Sequence, residues 1–432
     1  MRQIQTQNVD FTRAEEALIV SKVAWRILPF VFFLYVLAYL DRVNVSFAAL
    51  QMKDALHFSD TVYGFGSGIF FIGYFLFEVP SNLILERVGA RVWIARIMIS
   101  WGIISTLTMF VHTPWQFYTI RFLLGVAEAG FFPGMLLYFT YWFPAKVHAQ
   151  IISVFMTALA ASGIIGPPIS GFLLNLHGTH GLAGWQWVFL LEGAPSIVAG
   201  FFVLRVLDDR PADASWLRAE EKLRLQSQLA IPGREESAYL GIQVLRFRTV
   251  WTLAFIYFLL ALAINGLNFW LPQLIAARVN ATSSWLGVLT AVPYAAASVG
   301  MVFWGRRSDL KNERRLHLFL ACLFGAVGLI GTTFTAGGPT TILALCVAVS
   351  GSFAALGPFW SISASLLPRS AVASGLALIN SVGNLGGFCG PFAIGLVKQS
   401  TNDFMLPLLL LATSLVIAGA LISRSPHQDG HC

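Results

Sequence analysis

Charged side chains are scarce in this chain: 11% of its 432 residues are Asp, Glu, Lys or Arg, against 56% hydrophobic, where soluble domains carry about 25% charged residues. So little charge excludes a soluble globular enzyme and leaves a polytopic membrane protein, most of whose surface meets lipid or other spanning helices. Cysteine is scarce too. Cys322, Cys346, Cys389 and Cys432 fit neither a disulfide framework nor a Cys-x-x-Cys metal site, so no metal is expected. Histidine is missing from every span centre, since His57, His112, His148, His177, His180 and His317 map to ends or loops. No Gly-x-x-x-x-Gly-Lys-Ser/Thr loop is present, which removes nucleotide-driven chemistry, and Gly64, Gly66 and Gly68 lie in an apolar run that makes a poor dinucleotide site. No cofactor is expected. No cleavable leader is expected either, because the first 22 residues are polar and the first apolar run is long enough to span.

Long apolar runs are what the sequence has in abundance. They fall at 26–50, 62–85, 92–112, 115–138, 148–173 and 185–207, and, after a charged stretch, at 249–276, 284–305, 316–336, 339–366, 371–397 and 403–423. The expected organisation is a lead at 1–25, a six-helix bundle at 26–207, a linker at 208–248 with an amphipathic helix near Trp216–Leu229, a second six-helix bundle at 249–423 and a tail at 424–432. The net charge of +7 is sorted by side of the membrane. Beyond Arg42 and Arg121 inside spans, only Lys53, Arg278 and Lys398 fall outside, which puts both termini, the linker and the tail in the cytoplasm and makes nucleic acid no partner.

The two halves repeat. Gly163, Gly166, Pro167 and Gly171 return as Gly387, Gly390, Pro391 and Gly395, an offset of 224. At the border between spans two and three stand Glu86, Arg87, Gly89 and Arg91; between spans eight and nine, Arg306, Arg307 and Asp309, with Asp309 opposite Glu86 at an offset of 223. A duplicated six-helix unit is a transporter architecture, with its binding site at mid-membrane between the repeats.

Four charges sit where charge is costly. The 25 positions of the first run make a helix of roughly 37 Å, so Asp41 and Arg42 lie at membrane depth, where each costs about 2.5–3.5 kcal/mol unless paired or hydrated. In span four, Arg121 and Glu128 share a helix face, seven residues or about 10.5 Å apart. If the four face one cavity, an organic anion entering it pairs with Arg42 or Arg121, and the added negative charge favours proton uptake by Asp41 or Glu128. A carboxylate that takes a proton releases its arginine, whose guanidinium then grips the anion bidentately. A static salt-bridge network is the competing reading.

Glu78 near the end of span two joins this path or packs at the Glu86–Arg87 border; Glu192 in span six is left outside the site. Spans of the second half supply Asn265, Asn268, Ser361, Ser363, Asn380 and Asn384, suited to the hydroxyls or carbonyls of a substrate, and Tyr39 and Tyr74 fall at similar depth. Pro167 and Pro168 mark a place for span five to bend.

These residues resemble the major facilitator superfamily, and within it the anion:cation symporter family of tartrate, phthalate, hydroxyphenylacetate and D-galactonate permeases, sialin and vesicular glutamate transporters. The resemblance covers the whole chain and rests on Tyr39-Leu40-Asp41-Arg42-Val43-Asn44, on Phe77-Glu78-Val79-Pro80-Ser81-Asn82 running into Leu85-Glu86-Arg87-Val88-Gly89-Ala90-Arg91, and on Arg121-Phe122-Leu123-Leu124-Gly125-Val126-Ala127-Glu128. Glu86 stands where Asp is usual, with the charge kept. The resemblance implies twelve helices in two bundles, protonation at Asp41 and Glu128, anion binding and gating by Arg42 and Arg121, and a pocket lined by Tyr74 and Asn384. With Ser361 and Asn268 these make the expected substrate site, and Glu86, Arg87, Arg91 and Asp309 the expected gate. The Gly-x-x-Gly-Pro pattern of span five is similar to one found in antiporters.

The expected activity is import of a small organic carboxylate (a tartrate-like hydroxy acid, a sugar acid or an aromatic acid) by proton symport, in a bacterial inner membrane and as a monomer. The partners are the anion, protons and the bilayer. Exchange of one anion for another is the alternative, and a membrane-embedded lipid-modifying enzyme or an anion-sensing receptor are readings from other classes.

Overall fold

A computed structural model of the chain describes residues 13–229, 243–311, 313–367 and 372–424, and all of its long elements are helices. The predicted lead up to residue 12, the second part of the linker at 230–242 and the tail from 425 lie outside the described residues.

The first half is built from α1 (Arg13–Val43) running into α2 (Val45–Ala55), α3 (Asp60–Val88), α4 (Ala90–Leu107), α5 (Pro114–Glu128) followed by α6 (Phe131–Trp142), α7 (His148–Leu173) and α8 (Gly184–Val206). Local chemistry sets several of these limits. The Ser59 side chain caps α3, and Gly89, at φ +98°, ends it. Thr113 and Gln116 form a capping box around Pro114 at the start of α5. The linker carries α9 (Ala219–Leu229). The second half holds α10 (Arg248–Arg278), α11 (Ser283–Lys311), α12 (Arg314–Phe334), α13 (Pro339–Ala354) with α14 (Leu356–Leu366), α15 (Val372–Thr401) and α16 (Met405–Ser423).

Eleven of these stretches, counting α1–α2, α5–α6 and α13–α14 as one each, are long and apolar enough to cross a membrane. The twelfth long helix, α15, falls outside that group because Asn380, Ser381 and Asn384 dilute its apolar middle. It is wedged against α3 and α10, so its polar residues meet protein. Elsewhere the outward faces carry Phe172, Phe201, Val299, Phe303 and Phe334 exposed, a surface that suits lipid and not water.

One expected continuous span is broken. Gly130, in the left-handed region at φ +87°, separates α5 from α6, whereas α13 runs into α14 through Ala355, whose backbone stays in the right-handed helical region. The two junctions lie 225 positions apart, within a residue or two of the offset of the internal duplication. Unwound backbone at this depth is tolerated where protein surrounds it.

The halves meet chiefly along two helix pairs, α3 with α15 and α7 with α11, with α2 against α10 as a smaller third contact. Both crossings are backbone-close: a Cβ on Gly64 or Gly395 would run into the carbonyl of Pro391 or Asp60, and one on Gly171 or Gly287 into that of Ser283 or Pro167. The linker docks on the first half, with Lys22 Nζ 2.8 Å from Glu221 and Trp216 stacked on Trp142 at 5.7 Å.

Candidate functional site

The site begins where α3 and α5 touch. A Cβ on Gly125 would collide with the Phe70 carbonyl oxygen, and one on Gly73 with that of Phe122, so glycine lets the helices approach until the α5 charges reach the molecular centre. There Arg42, at the end of α1, donates from Nε and Nη2 to Glu128 Oε1, at the end of α5. Glu128 is buried, while the Arg42 side chain keeps 21% of its surface exposed. The pair is therefore anchored at the acid and reachable at the guanidinium. Arg42 also stands over the rings of Phe70 and Tyr74, at 5.4 and 5.5 Å.

Arg121 also stands over Phe70, 5.3 Å from its centroid, and lies 5.8 Å from that of Phe269 in α10. Its Nε approaches the Gly66 carbonyl at 3.4 Å, and both terminal nitrogens are buried with no hydrogen-bond partner among the described residues. Arg121 and Glu128 share the inward face of α5, as their spacing requires, but Glu128 pairs with Arg42 and leaves Arg121 as a cation without a counter-ion in hydrogen-bond contact.

Asp41 is not in this group. It is fully buried on a different face of α1, where it accepts hydrogen bonds from Trp101 Nε1 at 2.7 Å, Ser105 Oγ at 2.8 Å and Ser196 Oγ at 2.6 Å. Successive helical residues turn by about 100°, so neighbours in sequence face different sides. The expected cluster of two acids and two arginines is split into an Arg42–Glu128–Arg121 group at the centre and Asp41 inside the first half.

The second half reaches the centre through polar amides. Asn268 donates to the Tyr39 hydroxyl at 3.2 Å and accepts from Tyr294 at 3.0 Å. Asn380 donates to Glu78 Oε1 across the halves at 3.2 Å, and Glu78 Oε2 is buried without a partner among the described residues. One turn along α15, the Asn384 amide nitrogen is likewise buried and unpartnered. Tyr74 lies within electrostatic reach of Arg42, Glu78 and Glu128. Ser361 is partly buried in α14, and no bond ties it to the arginines.

The expected gate does not form one network. Glu86 and Arg87 are exposed at the linker side; Arg91 binds Asp209 through its backbone and Leu204 through its guanidinium, and Asp309 faces Arg314 of its own half at 3.7 Å. The ionic contact between halves lies at the opposite end instead. Asp60 is shared by Lys53 and by Lys398, the latter at 2.7 Å, and Lys53 also donates to Gln273 at 3.1 Å. Both lysines are legible in the sequence as charges on the outer side, but nothing local relates Asp60 to Lys398, 338 positions apart. Trp101, Ser105 and Ser196 are not legible as site neighbours, because a lone indole or hydroxyl in an apolar run carries no pattern.

Residues 31–391 match the family model described as Major Facilitator Superfamily. Over 423 residues the chain is 45% identical to a protein of Agrobacterium vitis named "Putative tartrate transporter", covering 96% of this chain and 97% of that one. It is 37% identical over 408 residues to the inner membrane transport protein RhmT of Escherichia coli strain K12, covering 94% of each. Among solved structures, the inward-open xylose transporter XylE of E. coli superposes with a TM-score of 0.76 at 15% identity, covering 94% of this chain and 97% of that one. A bacterial homologue of the lysosomal transporter Spinster gives 0.75 at 16% identity, over 96% and 97%. At such identities the likeness is one of fold.

Proposed function

This chain belongs to the Major Facilitator Superfamily, and on that premise we propose that it carries a small organic carboxylate across the membrane together with protons, by alternating access. It is a multi-pass membrane transporter and not an enzyme. The observation that carries the finer reading is the Arg42–Glu128 pair, half reachable and half buried, beside an Arg121 whose terminal nitrogens have no hydrogen-bond partner among the described residues.

In the proposed cycle Arg121 attracts the anion first, because its donors are already free. Protonation of Glu128 then releases Arg42, whose planar fork turns to the substrate carboxylate. Tyr74, Asn384, Asn268 and Ser361 meet the hydroxyls or carbonyls of the solute. Each positive charge moved through 100 mV gains about 2.3 kcal/mol, equivalent to a concentration ratio of several tens. The ionic contact around Asp60 closes one end in this state; with the linker and termini in the cytoplasm of a bacterial cell, that end faces outward. Hydroxy acids lead the candidate substrates, supported by the relative named for tartrate.

Reconstituted protein tests this with radiolabelled tartrate, a sugar acid and an aromatic acid. Symport requires that an inward proton gradient accelerate uptake of one class; acceleration only by anion preloaded inside the vesicles would replace symport with exchange.

A further inference from the structure

Asp41 presents a physical problem for any proton-coupled cycle. It is fully buried, its oxygens are occupied by Trp101, Ser105 and Ser196, and it lies within electrostatic reach of Glu128. No hydrogen bond among the described residues links Asp41 to the Arg42–Glu128 pair, from which it is turned by about 100° around α1.

Glu192 on α8 supplies a way in. It is 4% exposed, and one oxygen accepts from Ser170 Oγ of α7 at 2.6 Å while the other, Oε2, is buried with no partner among the described residues. Ser170 also lines a narrow gap between the halves, together with Ser46, Tyr39, Asn268 and Tyr294. Glu192 stands one helical turn from Ser196, the residue that donates to Asp41, and Asp41 is the one charged group among the described residues that acts on it. Among the described residues, no base faces the pair from the packed helices. Lys53 and Asp54 sit at the far end of α2, with Lys53 engaged by Asp60; Arg96 of α4 stacks on Trp93 at 3.9 Å; Arg42 is held by Glu128; and His148 of α7 bonds the Phe143 carbonyl at the opposite end.

An acid in this position, with a bare oxygen and no counter-ion, is not a salt bridge and is poorly explained as helix glue, for which Ser170 and a glutamine would serve equally well. We propose that Glu192 is the proton-entry carboxylate of this transporter, taking a proton from the inter-half gap by way of Ser170 and passing it, across the turn to Ser196, to Asp41, whose charge lies within electrostatic reach of Glu128. Each transfer forms one O–H bond and breaks one, and the hydroxyls of Ser170 and Ser196 serve as donor and acceptor in turn.

The proposal rests on the symport reading, so its test needs one arm that does not. Full-length wild type, Glu192→Gln, Glu192→Asp and Ser170→Ala are purified and reconstituted, with tartrate as the probe. Glu192→Gln keeps tartrate counterflow but loses about ten-fold of its proton-gradient-driven uptake, close to 1.4 kcal/mol; Glu192→Asp recovers most of it, and Ser170→Ala lies between. Gradient-driven uptake by Glu192→Gln equal to that of wild type overturns the proposal. If wild type itself ignores the gradient, symport fails, and infrared difference spectra taken on acidification in detergent still decide the site. A carboxylic-acid C=O band present in wild type and absent in Glu192→Gln assigns a proton to Glu192, and identical spectra remove it. Should Glu192→Gln fail to fold, Glu192→Asp is read by a shift of that band, and an unshifted band overturns the assignment.

Discussion

Arg42 Nε and Glu128 Oε1 stand 3.0 Å apart inside the molecule although 86 residues of chain separate them. The bond joins the end of α1 to the end of α5 just before the backbone unwinds at Gly130. A buried ion pair contributes little net stability but is costly to break one-sidedly, about 3–5 kcal/mol when a partner is deleted. That cost is what a substrate anion offsets when it takes the place of Glu128 beside Arg42.

Glu128→Gln removes the competitor for Arg42 while keeping the shape of the side chain. Anion binding at alkaline pH should tighten by about ten-fold and lose its dependence on pH, whereas gradient-driven accumulation disappears. Isothermal titration with tartrate across pH, alongside vesicle uptake, checks both halves of this statement.

Arg121 offers a planar pair of donors that lysine cannot reproduce. Arg121→Lys keeps the charge, yet carboxylate affinity should fall by roughly 1.5–3 kcal/mol, the worth of hydrogen bonds to a charged group. Ligand-induced thermal stabilisation, measured with the same anion, would be lost or greatly reduced; an unchanged shift would remove Arg121 from the site.

Gly125 is a packing prediction. A valine there drives into the Phe70 carbonyl, and overpacking of this kind costs about 1–3 kcal/mol. Gly305→Ala is the control, since open space surrounds that position. Thermal unfolding in detergent should show a clear drop for the first and none for the second.

The linker gives a pH prediction outside the membrane. Hydrogen bonds from Lys22, and then from Arg218, hold Glu221 down to about 2 from its ordinary 4.5. Because the docked value is depressed, the contribution to docking is fully present above pH 4.5 and is lost as pH falls through about 2. Hydrogen exchange across Ala219–Leu229 should quicken over that window, and Glu221→Gln should bring the faster exchange to neutral pH.

Much of the fold was legible in the chain. Apolar length gave the spans, and the duplication read from Gly163–Gly171 against Gly387–Gly395 has a counterpart in the helix junctions at Gly130 and Ala355. The break at Gly130 was invisible, because a glycine inside an apolar run does not say which way its backbone turns. At the candidate site, depth and spacing singled out Arg42, Arg121 and Glu128, which the fold brings around Phe70 and into one ion pair, and the helical period alone could have separated Asp41 from Arg42. What no spacing could supply was contact between distant segments: Asp60 with Lys398, Asn380 with Glu78, and Ser196 with Asp41.

The release of Arg42 by protonation of Glu128 is tested most directly by counting protons on binding. Full-length protein in weakly buffered detergent, mixed with tartrate and a pH-indicating dye, should take up roughly one proton per anion bound near neutral pH, and Glu128→Gln should bind the anion and take up none. Tight binding by wild type with no proton uptake, or equal uptake by Glu128→Gln, would contradict the mechanism.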